Sequence, residues 1–200
     1  PYADRDPRFD LTILHDGSKV GSKNVTVNIY KNTKGTWPTT TIGNAKNFGA
    51  EWEADPLRGT TRTGYYLNKG WNGERGNTAY RHSDPLIRMA ELYLNYAEAV
   101  NEYAGPGGTA AGLPLTALQA VNKVRSRIGM PDVQSRFAGD SRLLRDRIRN
   151  ERMVELAFEG HHYYFDSRRW KTVETDMNRT LYGMYVEQVS VSAEYPKGRR

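Results

Sequence analysis

The run from 151 to 170, ERMVELAFEGHHYYFDSRRW, concentrates carboxylates, histidines, arginines and aromatic rings. Its Glu151 and Glu155 are four residues apart, so on a helix their carboxylates share one face. Such a pair could supply the acid and base of a glycoside hydrolase. Alternatively, arginines could neutralise it in an ion-pair network that fixes helix packing. Because helix-borne acids among arginines are usually neutralised rather than poised for proton transfer, we favour the second interpretation.

The helix that carries these acids is predicted over 141–158. At about 100° per residue, Leu144, Ile148 and Phe158 fall on the same narrow face as the two glutamates. An unpaired carboxylate in an apolar stripe is very costly, so neighbouring helices must supply positive charge. Arginine fits this role better than lysine because its planar guanidinium binds a carboxylate through two hydrogen bonds. The predicted structural ion pairs join Glu151 and Glu155 to three arginines: Arg88, Arg168 and Arg169.

The histidines of the same run raise the possibility of a metal site. Glu159 and His162 have the E-x-x-H spacing that can ligate iron in four-helix bundles. Such a site needs a second E-x-x-H, and neither His15 nor His82 has a glutamate three residues before it. The sequence also lacks H-E-x-x-H, the G-x-S-x-G elbow, the phosphate-binding P-loop and G-x-G-x-x-G. We therefore predict no metal and no cofactor, and expect the two histidines at 161 and 162 to begin a helix.

Composition excludes several classes of protein. The 200 residues contain no cysteine, which rules out disulfides and thiol catalysis. No apolar run approaches the length of about 20 residues that spans a bilayer. The net charge of +6 is not gathered into a basic stripe, because acids are interleaved with bases along most of the chain. Nucleic-acid binding is therefore not expected. The chain starts at Pro1 without an initiator methionine, so we expect a piece of a longer protein.

Periodicity changes along the chain. Residues 1–83 read as a loop-rich segment with short strands, because 10–16 and 25–31 alternate apolar and polar residues and 63–69 is another short strand candidate. Residues 84–172 read as four helices, and residues 173–200 are irregular with an edge-strand pattern at 187–195. These segments are expected to form one domain. The predicted helices cover 84–104, 114–129, 141–158 and 161–172.

The first two predicted helices are joined by the glycine-rich GPGGTAAG, so they should lie antiparallel as a hairpin. Ser83 or Asp84 is a suitable N-cap for the first of them, and Pro85 suits its first turn. Small alanines alternate with larger tyrosines and leucines, as in tetratricopeptide-type pairs. The apolar stripe of this helix is predicted to contain Leu86, Met89, Ala90, Tyr93, Tyr96, Ala97 and Val100.

Three segments in this order resemble one known family. PLIRMAELYLNYAEAVNE, ALQAVNKVRSRIGMPD and LRDRIRNERMVELAFEGHHYYFDSRRW closely resemble the C-terminal half of SusD/RagB-like proteins, the nutrient-binding lipoproteins of Bacteroidetes-type bacteria. RDPRF at 5–9 and TGYYLNK at 63–69 also resemble the family and come in the expected order. The match covers most of residues 1–172, and its specificity lies in the combination of motifs.

The resemblance implies a mainly α fold with tetratricopeptide-like helix pairs, loop-rich segments and short β-strands. It implies a non-catalytic protein that binds glycans, or in some members peptides, at the extracellular face of the outer membrane. It implies a partner, a SusC-like TonB-dependent transporter, and a lipid anchor on an N-terminal cysteine outside this chain. In the family, the stretch that matches 151–170 is a packing signature and not a ligand site.

Ligand contacts are expected in residues 1–83. Sugars present flat C–H faces and hydroxyl rims, which proteins bind with exposed aromatic rings and planar polar side chains. Trp170 belongs to a helix and is expected in the core, whereas the other three tryptophans lie in polar, glycine-rich segments. In the family, ligand contacts tend to come from loops ahead of the helix that matches 84–104. The predicted ligand-binding residues are Trp37, Trp52, Trp71, Asn72, Arg75 and Tyr80.

Overall fold

A computed structural model describes residues 2–20, 24–32, 61, 63–70, 85–188 and 194. The chain divides into two units, each built from two stretches of sequence. The first unit contains Pro1–Phe9 and Ser83–Asn178, and the second contains Asp10–His82 and Arg179–Arg200. By this grouping the first nine residues and residues 173–178 belong with the helices. The single domain with segment boundaries at 83 and 172 stays a prediction.

The helices of the first unit dominate the described residues. They are α2 (Met89–Ala104), α3 (Ala117–Ser126), α4 (Ser135–Ala138), α5 (Ser141–Glu155), α6 (His162–Arg169) and α7 (Val173–Met177). A short helix, α1 (Arg8–Thr12), runs across the boundary between the units. The predicted mainly α fold is confirmed. Within the described ranges, none of the helices combines the length and the hydrophobicity that crossing a bilayer requires.

Local sequence explains where α3 and α5 begin. Thr116 accepts a hydrogen bond from the backbone N–H of Gln119, whose side chain in turn accepts one from the N–H of Thr116. This reciprocal capping box satisfies two N–H groups that the first turn of α3 leaves free. Asp140 Oδ1 caps α5 by accepting from the backbone N–H groups of Arg142 and Leu143, at 2.7 and 3.1 Å.

The start of α2 differs from the prediction. The helix begins at Met89, after an extended Arg88 (φ −136°, ψ 159°) that makes no side-chain cap. The proposed caps Ser83 and Asp84 lie outside the described residues. Leu86 precedes the helix, and both Leu86 and Met89 are exposed rather than part of the apolar stripe. The helix does end as predicted, at Gly105 with φ +78° before Pro106.

Packing of α2 on α3 and α5 forms the core of the first unit. Its buried residues include Ala97, Val100, Ala117, Val121 and Ile148, while a second cluster joins Ala90 and Leu94 to Val124. The beginning of α2 thus meets the end of α3, so the two helices are antiparallel. Tetratricopeptide-like character beyond this antiparallel hairpin stays a prediction.

The end of α5 corrects one sequence expectation. Leu144, Ile148, Glu151 and Glu155 are buried along one face, but the helix ends at Glu155. Phe158 was expected to continue this stripe; instead it lies beyond the helix with φ +63° and is 66% exposed. The chain must turn there because α6 begins only four residues later, at His162.

The second unit contains short paired strands and its own core. The antiparallel pairs are β1 (Ile13–Leu14) with β5 (Tyr66–Leu67) and β2 (Lys19–Val20) with β3 (Val25–Thr26). A parallel pair joins β4 (Lys31–Asn32) to β6 (Glu187–Gln188). The first half of the predicted strand at 10–16 is helical instead, as part of α1. The core of this unit contains Leu14, Val20, Val27 and Ile29, with Tyr66 packed against it.

Two glycines allow the strand region to contact the C-terminal stretch of the second unit closely. The backbone N–H of Met184 donates to the carbonyl of Thr63 at 2.7 Å. A Cβ on Gly64 would lie 2.3 Å from the Met184 carbonyl oxygen, and one on Gly183 would lie 2.9 Å from the Thr63 carbonyl oxygen. The two backbones can therefore come this close only because neither position carries a side chain.

We predict that Gly183→Ala destabilises the second unit by about 1–3 kcal/mol, the usual cost of overpacking. Hydrogen exchange at the Met184 amide, together with thermal denaturation, measures this effect. Gly139→Ala is the matched control, because a Cβ there meets no atom within 4 Å and φ is −102°. Equal protection of the Met184 amide in both variants would refute the close-contact explanation.

Candidate functional site

The predicted ligand contacts cannot be placed. Residues 71–84 and most of residues 33–62 lie outside the described part of the chain. The six residues concerned are Trp37, Trp52, Trp71, Asn72, Arg75 and Tyr80, and they stay a prediction. The chemistry that the structure does describe is the buried cluster around Glu151 and Glu155.

Glu151 is held by two arginines that lie far from it in sequence. Its side chain is almost fully buried, with 1% of the residue exposed. Oε1 accepts a hydrogen bond from Arg8 Nη1 at 2.7 Å, and Oε2 accepts one from Arg125 Nη1, also at 2.7 Å. Arg125 continues the buried face of α3, and its Nε donates to the carbonyl of Pro131. Each carboxylate oxygen of Glu151 therefore has a cationic donor.

Glu155 accepts hydrogen bonds from three guanidinium groups and is only 2% exposed. Its Oε1 accepts from Arg88 Nη1 at 2.6 Å and from Arg127 Nη2 at 2.9 Å. Its Oε2 accepts from Arg8 Nη1 at 2.9 Å. The backbone carbonyl of the same residue accepts from Arg88 Nη2, so Arg88 anchors the last turn of α5 through both side chain and main chain.

Arg8 joins the two carboxylates. One nitrogen, Nη1, contacts both Glu151 and Glu155, while Nε and Nη2 donate to the two oxygens of Asp6 at 2.9 and 2.6 Å. The residue is 5% exposed. This geometry assigns the RDPRF motif a physical role, because its aspartate orients the arginine that neutralises α5. It also explains why Pro1–Phe9 belongs to the helical unit.

Arg88 also binds Glu159, the glutamate of the E-x-x-H pattern. Its Nε and Nη2 donate to the two carboxylate oxygens of Glu159 at 2.6 and 2.9 Å. His162 begins α6, and its Nε2 lies 3.8 Å from Glu91 Oε2. Among the described residues, no group of three or more histidine, aspartate or glutamate side chains is arranged to hold a metal ion.

The two arginines expected from α6 lie elsewhere. Arg169 pairs with Glu98 and Asp166 instead of the α5 glutamates. Arg168 donates to the carbonyl of Tyr164 and stacks on that ring, with its Cζ 3.5 Å from the centroid. Both are exposed, since they occupy the outer side of the last turn of α6. Arg88 is the predicted partner that the structure brings to Glu155.

Three of the arginines at the glutamates were missed by sequence reasoning: Arg8, Arg125 and Arg127. The signal for Arg125 was present, because it follows Val121 and Val124 on the buried face of α3. Arg127 comes just after α3 and was not foreseeable from periodicity. Arg8 is 143 residues from Glu151, and no local pattern joins residues so far apart.

Electrostatics keeps Glu155 ionised. Burial by itself raises the pKa of this carboxyl, but hydrogen bonds from Arg88 and Arg8 and the charge of Arg127 outweigh burial and hold the pKa below its usual range. The same balance holds for Glu98, whose pKa is lowered by Arg169 and Trp170 against the effect of burial. A general acid needs a pKa near the working pH, so Glu155 is poorly suited to protonate a leaving group.

Trp170 is half-buried rather than fully in the core, and it has a polar partner. Its Nε1 donates to Glu98 Oε1 at 2.8 Å. Two guanidiniums lie over its ring, with the Cζ of Arg149 4.8 Å and the Cζ of Arg169 5.3 Å from the centroid. The ring thus links α6 to α2 and α5 through charge as well as through packing.

Arg8→Met should lower the free energy of unfolding of the helical unit by about 3–5 kcal/mol, because the buried carboxylates of Glu151 and Glu155 each lose a cationic hydrogen-bond donor. Urea denaturation followed by circular dichroism measures the loss. The control is Arg145→Met, whose partner Glu102 is partly exposed, and we expect a loss of at most about 1 kcal/mol there. Similar losses in the two variants would contradict the central role of Arg8.

Acid should destabilise the helical unit through Glu155. Because its pKa is lower in the folded state, its contribution is fully present above the ordinary value of 4.5 and is lost as the pH falls through the folded pKa. The measurement is the melting temperature as a function of pH. Glu155→Gln should weaken the acid dependence, whereas Glu174→Gln, at an exposed position of α7, should leave it unchanged. An identical acid dependence in wild type and Glu155→Gln would refute this assignment.

Comparison with known proteins places this fold. The family model described as the SusD family matches residues 1–195. SusD-like protein P25 of Formosa agariphila is 38% identical over 109 residues, a match that covers 52% of this chain and 19% of that protein. The chain therefore spans about a fifth of the length of this curated relative.

Two solved structures from Bacteroides fragilis are similar. A SusD-like protein is 29% identical, with a TM-score of 0.65, and the match covers 94% of this chain and 32% of that one. A SusD-like carbohydrate-binding protein is 24% identical, with a TM-score of 0.63, and the match covers 98% of this chain and 34% of that protein. Because the family model matches residues 1–195 of the 200, the chain belongs to the SusD family.

Proposed function

We propose that this chain is part of a non-catalytic cell-surface protein that binds glycans for uptake. The observation that carries the proposal is the match of the SusD family model across residues 1–195. One structurally similar protein bears the description carbohydrate-binding, which supports a saccharide as the ligand. The wider setting is part of the same proposal: the extracellular face of the outer membrane, a lipid anchor outside this chain, and a SusC-like TonB-dependent transporter as the partner.

The ion-pair cluster supports binding over hydrolysis. A glycosidase needs one carboxyl that is protonated near neutral pH and a second that faces the substrate. Glu151 and Glu155 are 1% and 2% exposed, and both are hydrogen-bonded to arginines. The lowered pKa of Glu155 opposes the role of acid. The proposed role of Glu151, Glu155 and Arg88 is to fix the packing of α5 against the other elements of its unit.

Two alternatives are separated from this proposal by one set of assays. The first is a peptide-binding member of the same family, and the second is a hydrolase that uses Glu151 and Glu155. Calorimetry against neutral and acidic oligosaccharides and against peptides identifies the ligand class, and product analysis of the same mixtures detects turnover. Saccharide binding without turnover supports the proposal. Peptide binding alone favours the first alternative, and turnover that is lost in a folded Glu155→Gln variant establishes the second.

The proposed ligand contacts have their own test. Trp37→Ala or Trp52→Ala should weaken saccharide binding about ten-fold, because stacking of an indole ring on a sugar face is lost. Neither variant should lower the melting temperature much. Tyr103→Ala is the control, since it removes a ring that is 85% exposed on α2, far in sequence from the predicted contacts. Unchanged affinity in both tryptophan variants would show that the ligand binds elsewhere.

A further inference from the structure

Two guanidiniums share one aromatic ring on the surface formed by α4 and α5. The Cζ of Arg136 lies 4.5 Å from the centroid of the Phe137 ring, and the Cζ of Arg147 lies 5.3 Å from the same centroid. Phe137 is partly buried and packs against the core of the first unit. The ring is thus fixed from inside, and each of the two cations lies within 5.3 Å of its centroid.

A guanidinium that stacks on a ring keeps the N–H groups in its plane available for hydrogen bonding. Within the part of the chain that the structure describes, no carboxylate forms an ion pair with Arg136 or Arg147. Three acids close in sequence, Asp132, Asp140 and Asp146, form no ion pair with either arginine in this part of the chain. Asp140 accepts from the first N–H groups of α5, and Asp146 is exposed next to Arg147.

A second ring with two guanidiniums over it lies beside a carboxylate in the same unit. At Trp170, two guanidiniums again lie over one ring, those of Arg149 and Arg169. There Glu98 accepts hydrogen bonds from Arg169 Nη1 and Nη2 at 2.6 and 2.9 Å, and also from the ring nitrogen Nε1 of Trp170 at 2.8 Å, a donor that Phe137 does not have. The cluster at Phe137 repeats the ring and the two cations, but its cations have no such carboxylate among the described residues. A carboxylate is therefore the group whose chemistry this cluster matches.

We propose that Arg136, Phe137 and Arg147 form a binding site for a carboxylate, and that this carboxylate belongs to an acidic sugar residue of the glycan. The second half of this statement rests on the proposed glycan-binding function. The site selects uronate-containing saccharides over neutral ones, because a neutral hydroxyl cannot supply the charge that two guanidiniums attract. Its affinity decreases as salt is added, since the cluster lies at the surface.

Paired ligands and paired variants test the site on the full chain. The ligand is an oligogalacturonate, and its control is the same oligomer with every carboxyl methyl-esterified. Calorimetry should show binding of the acid form at least about ten-fold tighter than binding of the ester, with a similar loss in Arg136→Gln and in Arg147→Gln. Arg142→Gln is the matched control, because it removes one charge from an exposed neighbour on α5 and should leave the affinity within about two-fold.

Several results would overturn the proposal. One is equal binding of acid and ester. Another is an equal loss in all three arginine variants, which would indicate bulk charge rather than this cluster. If the esterified oligomer binds and Trp37→Ala weakens its binding while the acid form gains nothing, the proposed function stands and the carboxylate site fails.

Acetate separates the carboxylate site from the saccharide function. A titration with sodium acetate, followed by NMR of the arginine Nε–Hε groups, should shift Arg136 and Arg147 selectively. If acetate produces these shifts but no saccharide binds, the carboxylate site stands and both the proposed function and the uronate assignment fail. If neither acetate nor any saccharide produces an effect, the site and the function fail together.

Discussion

Burial of two carboxylates on one face of α5 is the constraint on which the rest of the helical unit depends. Removing an ionised carboxylate from water costs several kcal/mol, by order of magnitude, unless cations replace the lost hydration. At Glu151 and Glu155 the cations come from the first residue of α1, from the residue ahead of α2, and from the end of α3. Satisfying two side chains therefore specifies where several parts of the unit must lie. A purely apolar stripe would restrict the positions of neighbouring elements less, because leucine and isoleucine pack against any apolar surface of suitable shape.

The sequence predicts part of this arrangement and not the rest, for physical reasons. The helical wheel places Glu151 and Glu155 among Leu144 and Ile148, and that alone requires nearby arginines. The identity of those arginines is a tertiary property, because the separation of Arg8 from Glu151 exceeds the range of any periodic pattern. The end of α2 was well predicted, because Gly105 can adopt the positive φ that stops the helix. The start of α2 was not, because Arg88 is held in extended backbone and its side chain is used at Glu155 and Glu159.

Recognition by aromatic rings is harder to predict than packing. A buried stripe repeats with the period of its helix, whereas rings that contact a ligand follow the shape of that ligand and leave no period in the sequence. Trp37, Trp52 and Trp71 are singled out by the polar, glycine-rich segments around them and by the region that the family resemblance indicates, and not by any motif. The cluster of Arg136, Phe137 and Arg147 was missed for a related reason. Arg136 lies on α4 and Arg147 lies on α5, so no single helical period relates them. Their common feature is contact with the ring of Phe137.

The division of the helical unit into two stretches of chain has a consequence for the order of synthesis. Residues 1–9 are translated before the helices of their unit, and Arg8 can reach Glu155 only after residue 155 has emerged. In between, the whole of the stretch Asp10–His82 is made. Before residue 155 emerges, Arg8 can pair with the neighbouring Asp6 but not with Glu155. Contact between Arg8 and Glu151 closes a loop of 143 residues, so it forms more slowly than the local hydrogen bonds of the helices. Arg8 is thus translated long before it can reach its final contacts with Glu151 and Glu155.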